Sequence, residues 1–135
     1  MRRSHTISLS IDYPYEAAYR FLSDPRTYGD WAAVDKQSFR PLGNGDWEGT
    51  TSLGGVRHFR FTPVNTFGVL DHAVFTPGDT PLWTPMRVTP NEGGTELTFT
   101  FYQRPGMSEE EFASAIEWVT MDFLTLKSVL EARWR

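Results

Sequence analysis

The C-terminal segment carries the feature that most constrains the fold, a single long amphipathic helix. The segment opens at Ser108, and Glu111 follows three residues later, in the pattern of a capping box. Beyond the cap, apolar residues recur at spacings of three and four, as on one helix face: Phe112, Ile116, Val119, Phe123, Leu126 and Leu130. About 25 residues, each adding about 1.5 Å, give a rod of about 40 Å. Such a rod needs a broad apolar surface to cover its stripe.

The chain before this helix predicts strands and two short helices. Residues 7–11 alternate between apolar and polar side chains, which predicts a half-buried first strand. Pro14 with the apolar stripe after it predicts one short helix, and Asp24 as a cap predicts a second. Over residues 34–103, alternating runs are separated by turn formers such as "TPVNT", "TPGDTP" and "TPNEGG", which predicts an antiparallel meander.

Together these elements predict one α+β domain over residues 1–135. We expect a curved antiparallel sheet of about six to seven strands wrapped on the C-terminal helix, with two short helices after strand one. Length alone also favours a single domain, because the chain has 135 residues.

Composition excludes several classes of function. The net charge is −4, and the basic cluster Arg2–Arg3 is too short for a nucleic-acid footprint. There is no apolar run long enough for a transmembrane helix and no secretory signal. The chain has no cysteine, and His5, His58 and His72 lack metal-ligand spacing, so we expect no metal and no cofactor. Absence of cysteine fits a reducing compartment, and we predict a cytoplasmic protein.

The stretch "TFGVLDHAVF" places two ionisable residues, Asp71 and His72, side by side. Adjacent strand residues face opposite sides of a sheet, so these two cannot form a dyad in one pocket. Counting residues across the loops places Asp71 inward, opposite Arg57, and His72 outward near Arg87. The sequence therefore predicts an internal pair of Arg57 and Asp71, which are the candidate catalytic residues.

This predicted pair has a structural and a functional interpretation. As structure, it is a buried ion pair in which each charge satisfies the other, which is the commoner role of such pairs. As function, Arg57 holds a carboxylate, enolate or carbonyl oxygen while Asp71 orients the ligand or moves a proton. Whether the protein is an enzyme is left open by the sequence.

Three stretches of the sequence resemble the START superfamily, also called SRPBCC, whose members have the helix-grip fold of pollen allergens and plant hormone receptors. They are "ISLSIDYPYEAAYRFLSDPRTYGDWAA", "LGGVRHFRF" and "LKSVLE". The phrases "GVLDHAV", "PMRV" and "FYQRPGMSEEEF" are similar to its bacterial polyketide cyclase/dehydratase-like branch. The resemblance covers nearly the whole chain. It implies a cavity between sheet and long helix that takes lipids, hormones or polyketides, in some members with cyclisation or dehydration.

We therefore expect a protein that binds a small, largely apolar molecule, aromatic, polyketide-like or lipid-like. One alternative is a cyclase or dehydratase with Asp71 as base and Arg57 as oxyanion stabiliser. Another is a protein-interaction module of the chaperone-activator type.

Trp118 and Met121 lie off the main helix stripe, either on a second wall or on a homodimer face. Tyr28 is expected near the cavity mouth. The expected ligand-binding residues are Trp31, Phe39, Arg57, Phe59, Asp71, Met86, Phe99, Phe101, Phe112, Ile116 and Val119.

Overall fold

A computed structural model describes residues 1–51 and 55–133. In this part of the chain the helical elements are α1 (Tyr15–Leu22), a 3₁₀ helix (Pro25–Asp30) and α2 (Glu109–Arg133). The strands are β1 (Ser4–Ile11), β2 (Arg40–Pro41), β3 (Trp47–Thr50), β4 (Val56–Phe61), β5 (His72–Phe75), β6 (Trp83–Thr84), β7 (Met86–Asn91) and β8 (Gly94–Tyr102).

The strands form two antiparallel hydrogen-bonded sets. One set has the order β1-β8-β7 and the other β2-β3-β4-β5-β6. Only Pro85 separates β6 from β7, and its carbonyl oxygen accepts a hydrogen bond from the Thr100 amide at 3.0 Å. Together with α1, the 3₁₀ helix and α2, this confirms the predicted α+β helix-grip architecture.

The two short helices after β1 begin as their sequences predict. The Asp24 carboxylate accepts a hydrogen bond from the Arg26 amide at 3.0 Å, and Pro25 occupies the first position of the 3₁₀ helix. In α1, Ala18 and Phe21 are buried against the sheet side of the molecule. These helices bring Tyr28 and Trp31 under the curved sheet.

The long helix α2 has the predicted cap and the predicted buried stripe. The Glu111 amide donates to Ser108 Oγ at 3.1 Å, and the Ser108 amide donates to Glu111 Oε1 at 3.0 Å, which is a complete capping box. Phe123, Leu126 and Leu130 are fully buried in the core. No helix in the described part of the chain offers a stretch both long and apolar enough to cross a bilayer.

The register between β7 and β8 agrees with the turn that the sequence predicts within "TPNEGG". Met86 lies opposite Phe99, and Pro90 lies opposite Thr95. The connecting turn closes after Asn91 through Glu92 and Gly93, whose φ angles are 43° and 91°. Two successive positive φ angles are typical of the hairpin turn that follows the natural twist of antiparallel strands.

The predicted register between β4 and β5 is wrong. Phe61 lies opposite His72 and Phe59 opposite Val74, so His72 and Val74 share the inner face with these two phenylalanines. Asp71 consequently lies on the outer side. The expected pairing of Arg57 with Asp71 does not form, and His72 is buried instead of solvated.

The register differs because the connection after β4 is twice as long as the "TPVNT" loop suggested. The Asn65 side chain organises it, accepting hydrogen bonds from the Phe67 and Val69 amides and donating to the Val69 carbonyl. The next residues pair with β7, as the bond from the Leu70 amide to the Met86 carbonyl shows. An odd connection thus becomes an even one, and every later side chain of β5 changes face.

Candidate functional site

A cavity of about 900 Å³ lies between the sheet and α2. This volume is in the range of sites that take small organic molecules. Strands β4, β5 and β8 provide one wall and the first half of α2 provides the other. Its apolar lining includes Phe59, Val74, Phe75, Leu82, Phe101, Met107, Ala115, Trp118 and Val119.

The polar lining contains both cations and carboxyl groups. Arg57 extends from the inner face of β4, opposite Gly49 of β3, and Arg104 follows the end of β8. Asp122 extends from α2 on the same face as Val119, three residues earlier. Other charged groups that line the cavity are Arg2, Asp79 and Glu111.

Tyr28 forms part of the cavity floor, and aromatic rings hold it in place. Its ring packs edge-on against Phe59 and His72 and stacks on Phe39 with the ring centroids 5.7 Å apart. Burial raises the pKa of Tyr28 strongly, and the charge of Asp122 adds to that effect. The phenol therefore stays protonated at neutral pH. Its hydroxyl donates no hydrogen bond to any residue in the described ranges.

Arg104 brings a partly buried positive charge to the cavity. Its Nη1 donates to the Val74 carbonyl oxygen at 3.2 Å, and its guanidinium carbon lies 5.9 Å from the ring centroid of Phe101. Burial lowers the pKa of Arg104, as do the like charges of Arg2 and Arg57. The group is still charged at neutral pH because an arginine pKa begins far above it.

Asp122 brings a carboxyl group that resists ionisation. Burial raises its pKa from 3.8 to about 6, and a long hydrogen bond of 3.4 Å from the Ala33 amide only partly offsets this. Asp122 and Arg104 both act on Tyr28, with opposite effects on its pKa. The cavity thus presents a cation, a neutral hydroxyl donor and a carboxyl group that changes charge near pH 6. These groups can hold an oxygen atom of a ligand and can exchange a proton with it.

The structure places some of the predicted ligand-binding residues in this cavity and others elsewhere. Arg57, Phe59, Phe101 and Val119 line it. The remainder lie in packed surroundings outside the lining: Trp31 on Phe123, Phe39 on Trp47, Phe99 on Phe123, Phe112 on Phe101, and Met86 and Ile116 against the core.

Asp71 lies outside the cavity and is bound to the arginine that was expected to face His72. Arg87 Nε donates to its Oδ1 at 3.0 Å and Arg87 Nη2 to its Oδ2 at 2.9 Å, while the Met86 amide donates at 2.8 Å. Partial burial raises the pKa of Asp71, but these hydrogen bonds outweigh it and leave the pKa below its ordinary value. A group held in this way on the outer face is not available as a base for the cavity.

His72 occupies the interior that was assigned to Asp71. Its Nδ1 lies 3.1 Å from the Leu70 carbonyl oxygen, and burial lowers its pKa, so the ring is neutral at pH 7. Beside it is a small pocket of about 20 Å³, lined in part by Trp31 and Met86, which has room for one water molecule. Tyr28 lines both this pocket and the large cavity.

The sequence reasoning missed Arg104 and Asp122. Asp122 follows Val119 by three residues, so the helical period that placed Val119 at the cavity mouth also places Asp122 there. Arg104 has a weaker signal, a single cation just after the last strand. Within the described ranges, no group of three or more His, Asp or Glu side chains is arranged to hold a metal ion.

The curved antiparallel sheet gripping one long helix is the architecture of START-superfamily and related helix-grip structures. Neither a protein-family model nor a curated protein matches the sequence. Solved structures do match the fold. An uncharacterised protein from Bacillus thuringiensis superposes with a TM-score of 0.76 at 12% identity, covering 95% of this chain and 98% of that one.

Two further structures share the fold. A START superfamily protein from Mycobacterium smegmatis has a TM-score of 0.70 at 11% identity, covering 98% of this chain and 99% of that one. The Aha1 dimer from Colwellia psychrerythraea has a TM-score of 0.72 at 16% identity, covering 96% of each chain. At these identities the likeness is one of fold.

Proposed function

We propose that this protein binds a small, largely apolar molecule, aromatic, polyketide-like or lipid-like, in the cavity between the sheet and α2. The observation that carries the proposal is the cavity itself, about 900 Å³ with aromatic and aliphatic walls. Phe59 and Phe101 are buried on one wall, and Val119 faces them from α2. The sequence resemblance to START proteins supports the same class of ligand.

Native mass spectrometry of the protein purified from its own host tests the proposal. We expect a mass above that of the bare chain, and release of a small organic molecule on denaturation. Ala115→Trp should abolish the extra mass because Ala115 lines the cavity and an indole ring would occupy it.

Leu124→Trp is the matched control, because Leu124 lies on the same helix with 47% of its surface exposed. It should keep the extra mass. A bare chain in every preparation, together with no binding of apolar probes, would refute the proposal.

A second candidate is an acid–base enzyme of the cyclase or dehydratase kind, and Asp122 favours it. A carboxyl group with a pKa of about 6 is half ionised near pH 6 and mostly carboxylate at neutral pH. Its carboxylate would take a proton from the carbon next to a carbonyl while the electrons move to the carbonyl oxygen, beside Arg104 or Tyr28. This replaces the expected roles of Asp71 and Arg57.

Proton NMR of the released ligand in heavy water, incubated with protein, tests this candidate. Exchange at that carbon with wild type and its loss in Asp122→Asn, with binding retained, supports catalysis. Exchange that is equal for both proteins would refute catalysis by Asp122, and ligand binding would remain as the proposed function.

A homodimer is a further proposal about partners. Trp118, Met121 and Leu124 are exposed apolar side chains on α2, and the similar Colwellia protein is described as a dimer. Sedimentation equilibrium should give twice the chain mass, and Met121→Lys should return it to the monomer. A monomer at all concentrations would refute the dimer without affecting the proposal on ligand binding.

A further inference from the structure

We propose that the ligand of this cavity is an organic anion, an apolar body with one carboxylate or sulfonate group that Arg104 binds with help from Arg57 and Arg2. The inference rests on the proposed function, since it names the chemistry of the molecule that the cavity takes. It specifies the head group of the ligand, which the apolar walls of the cavity do not determine.

Three arginines converge on one cavity, and none has a carboxylate partner there. Arg2, Arg57 and Arg104 all line it. In the described ranges, none of the three forms an ion pair within 4.0 Å. Arg57 and Arg104 are both partly buried. A partly buried cation without a counter-charge is costly, so proteins normally pair or neutralise it.

Other arginines of the same chain do have partners. Arg40 pairs with Glu48, and Arg60 and Arg87 each bind an aspartate with two nitrogen atoms. The chain has 17 Asp and Glu residues against 13 Lys and Arg residues, so carboxylates are plentiful. The lack of ion pairs at Arg2, Arg57 and Arg104 is therefore not due to a shortage of carboxylates in the chain.

The carboxyl groups that line the cavity do not fill this role. The Glu111 carboxylate accepts the Ser108 amide in the cap of α2, and Asp79 is on an exposed turn. Asp122 accepts a hydrogen bond from the Ala33 amide, and its burial makes the charged form costly. None of them reaches an arginine of the cavity within pairing distance in the described ranges.

Arg104 and Arg57 keep hydrogen-bond donors for a ligand. Each spends one Nη1 on a backbone carbonyl, that of Val74 at 3.2 Å and that of Val56 at 3.0 Å. A guanidinium has five N–H donors in a planar fork that matches a carboxylate or sulfonate. The Tyr28 hydroxyl is a further donor in the same cavity.

Two fluorescent probes with the same aromatic frame separate charge from apolar binding. Anilinonaphthalene sulfonate carries a negative charge, and N-phenylnaphthylamine is neutral. We expect wild type to bind both and to prefer the sulfonate. Arg104→Met should weaken the affinity for the sulfonate probe about tenfold or more, because charged hydrogen bonds are lost. It should change the affinity for the neutral probe less than about twofold.

Arg87→Met is the matched control, with the same change of charge at an arginine outside the cavity. It should leave the affinity of both probes unchanged. Arg57→Met provides an independent variant if Arg104→Met fails to fold, and it should weaken only the sulfonate.

Each remaining outcome decides against the inference. Equal affinity of wild type for the two probes, or equal effects of Arg104→Met and Arg87→Met, would refute the proposal that the ligand is an anion. The proposal that the cavity binds an apolar molecule would stand. Binding of neither probe would overturn the proposed function, and the anion with it.

Discussion

Asp122 lies where α2 faces the cavity, and its surroundings favour the uncharged carboxylic acid. Burial raises its pKa from 3.8 to about 6. Between these two values the folded protein keeps a proton that the unfolded chain has lost. The free energy of unfolding therefore falls as pH rises from about 4 to about 6. Above that range, Asp122 causes no further loss of stability.

We expect Asp122→Asn to remove this pH dependence. Asn carries no charge, so the difference in unfolding free energy, variant minus wild type, should rise from about pH 4 to about pH 6 and then level off. Urea unfolding at several pH values measures it, and other carboxyl groups cancel in the difference. A flat difference for Asp122→Asn would contradict the assigned burial.

Asp71 provides a test of the corrected register. Asp71→Asn should lower the free energy of unfolding by about 1 kcal/mol or less, since the lost partner is a half-exposed arginine on the outer face. Binding of anilinonaphthalene sulfonate should not change. Chemical denaturation and probe titration check both parts, and a large loss of probe affinity would place Asp71 in the cavity after all.

At the scale of elements, the sequence predicted those parts whose geometry is local. The Ser108 cap, the stripe of α2 and the turn within "TPNEGG" depend on residues close in sequence, and all were predicted correctly. The β4–β5 register was not, because Asn65 and pairing with β7 set the length of that connection. One change of parity then moved Asp71 out of the site and His72 into the interior.

The stripe of α2 predicts very different costs for two neighbouring leucines. Leu126 has no exposed surface, whereas Leu124 is 47% exposed. Leu126→Ala should lower the free energy of unfolding by about 2–5 kcal/mol because it leaves a cavity in the core. Leu124→Ala should change it by about 0.5 kcal/mol or less. Urea unfolding of the two variants compares them directly, and equal losses would mean that the helix is rotated about its axis.

In the whole molecule, α2 closes the core at one end and leaves it open at the other. Phe123, Leu126 and Leu130 pack with almost no exposed surface, while the helix around Val119 borders the cavity. The sequence could place Val119 at this boundary from the helical period. It could not place Arg104, because a cation after the last strand gains its position only from the assembled sheet.

The open cavity is space that the side chains of the protein do not fill. A larger side chain placed in this space should therefore cost little free energy of unfolding. Val119→Phe places a ring in open space and should leave the free energy of unfolding unchanged or raise it by up to about 1 kcal/mol. Binding of N-phenylnaphthylamine should weaken about tenfold, because the ring occupies its site.

Val88→Phe is the matched control, since Val88 is 1% exposed in the closed core beneath the same sheet. The same added volume there should lower the free energy of unfolding by about 1–3 kcal/mol, because overpacking forces side chains and backbone to shift. The folded Val88→Phe protein should still bind the probe. If both variants lost the same stability, the space beside Val119 would be as closely packed as the core, and the cavity could not admit a ligand without opening first.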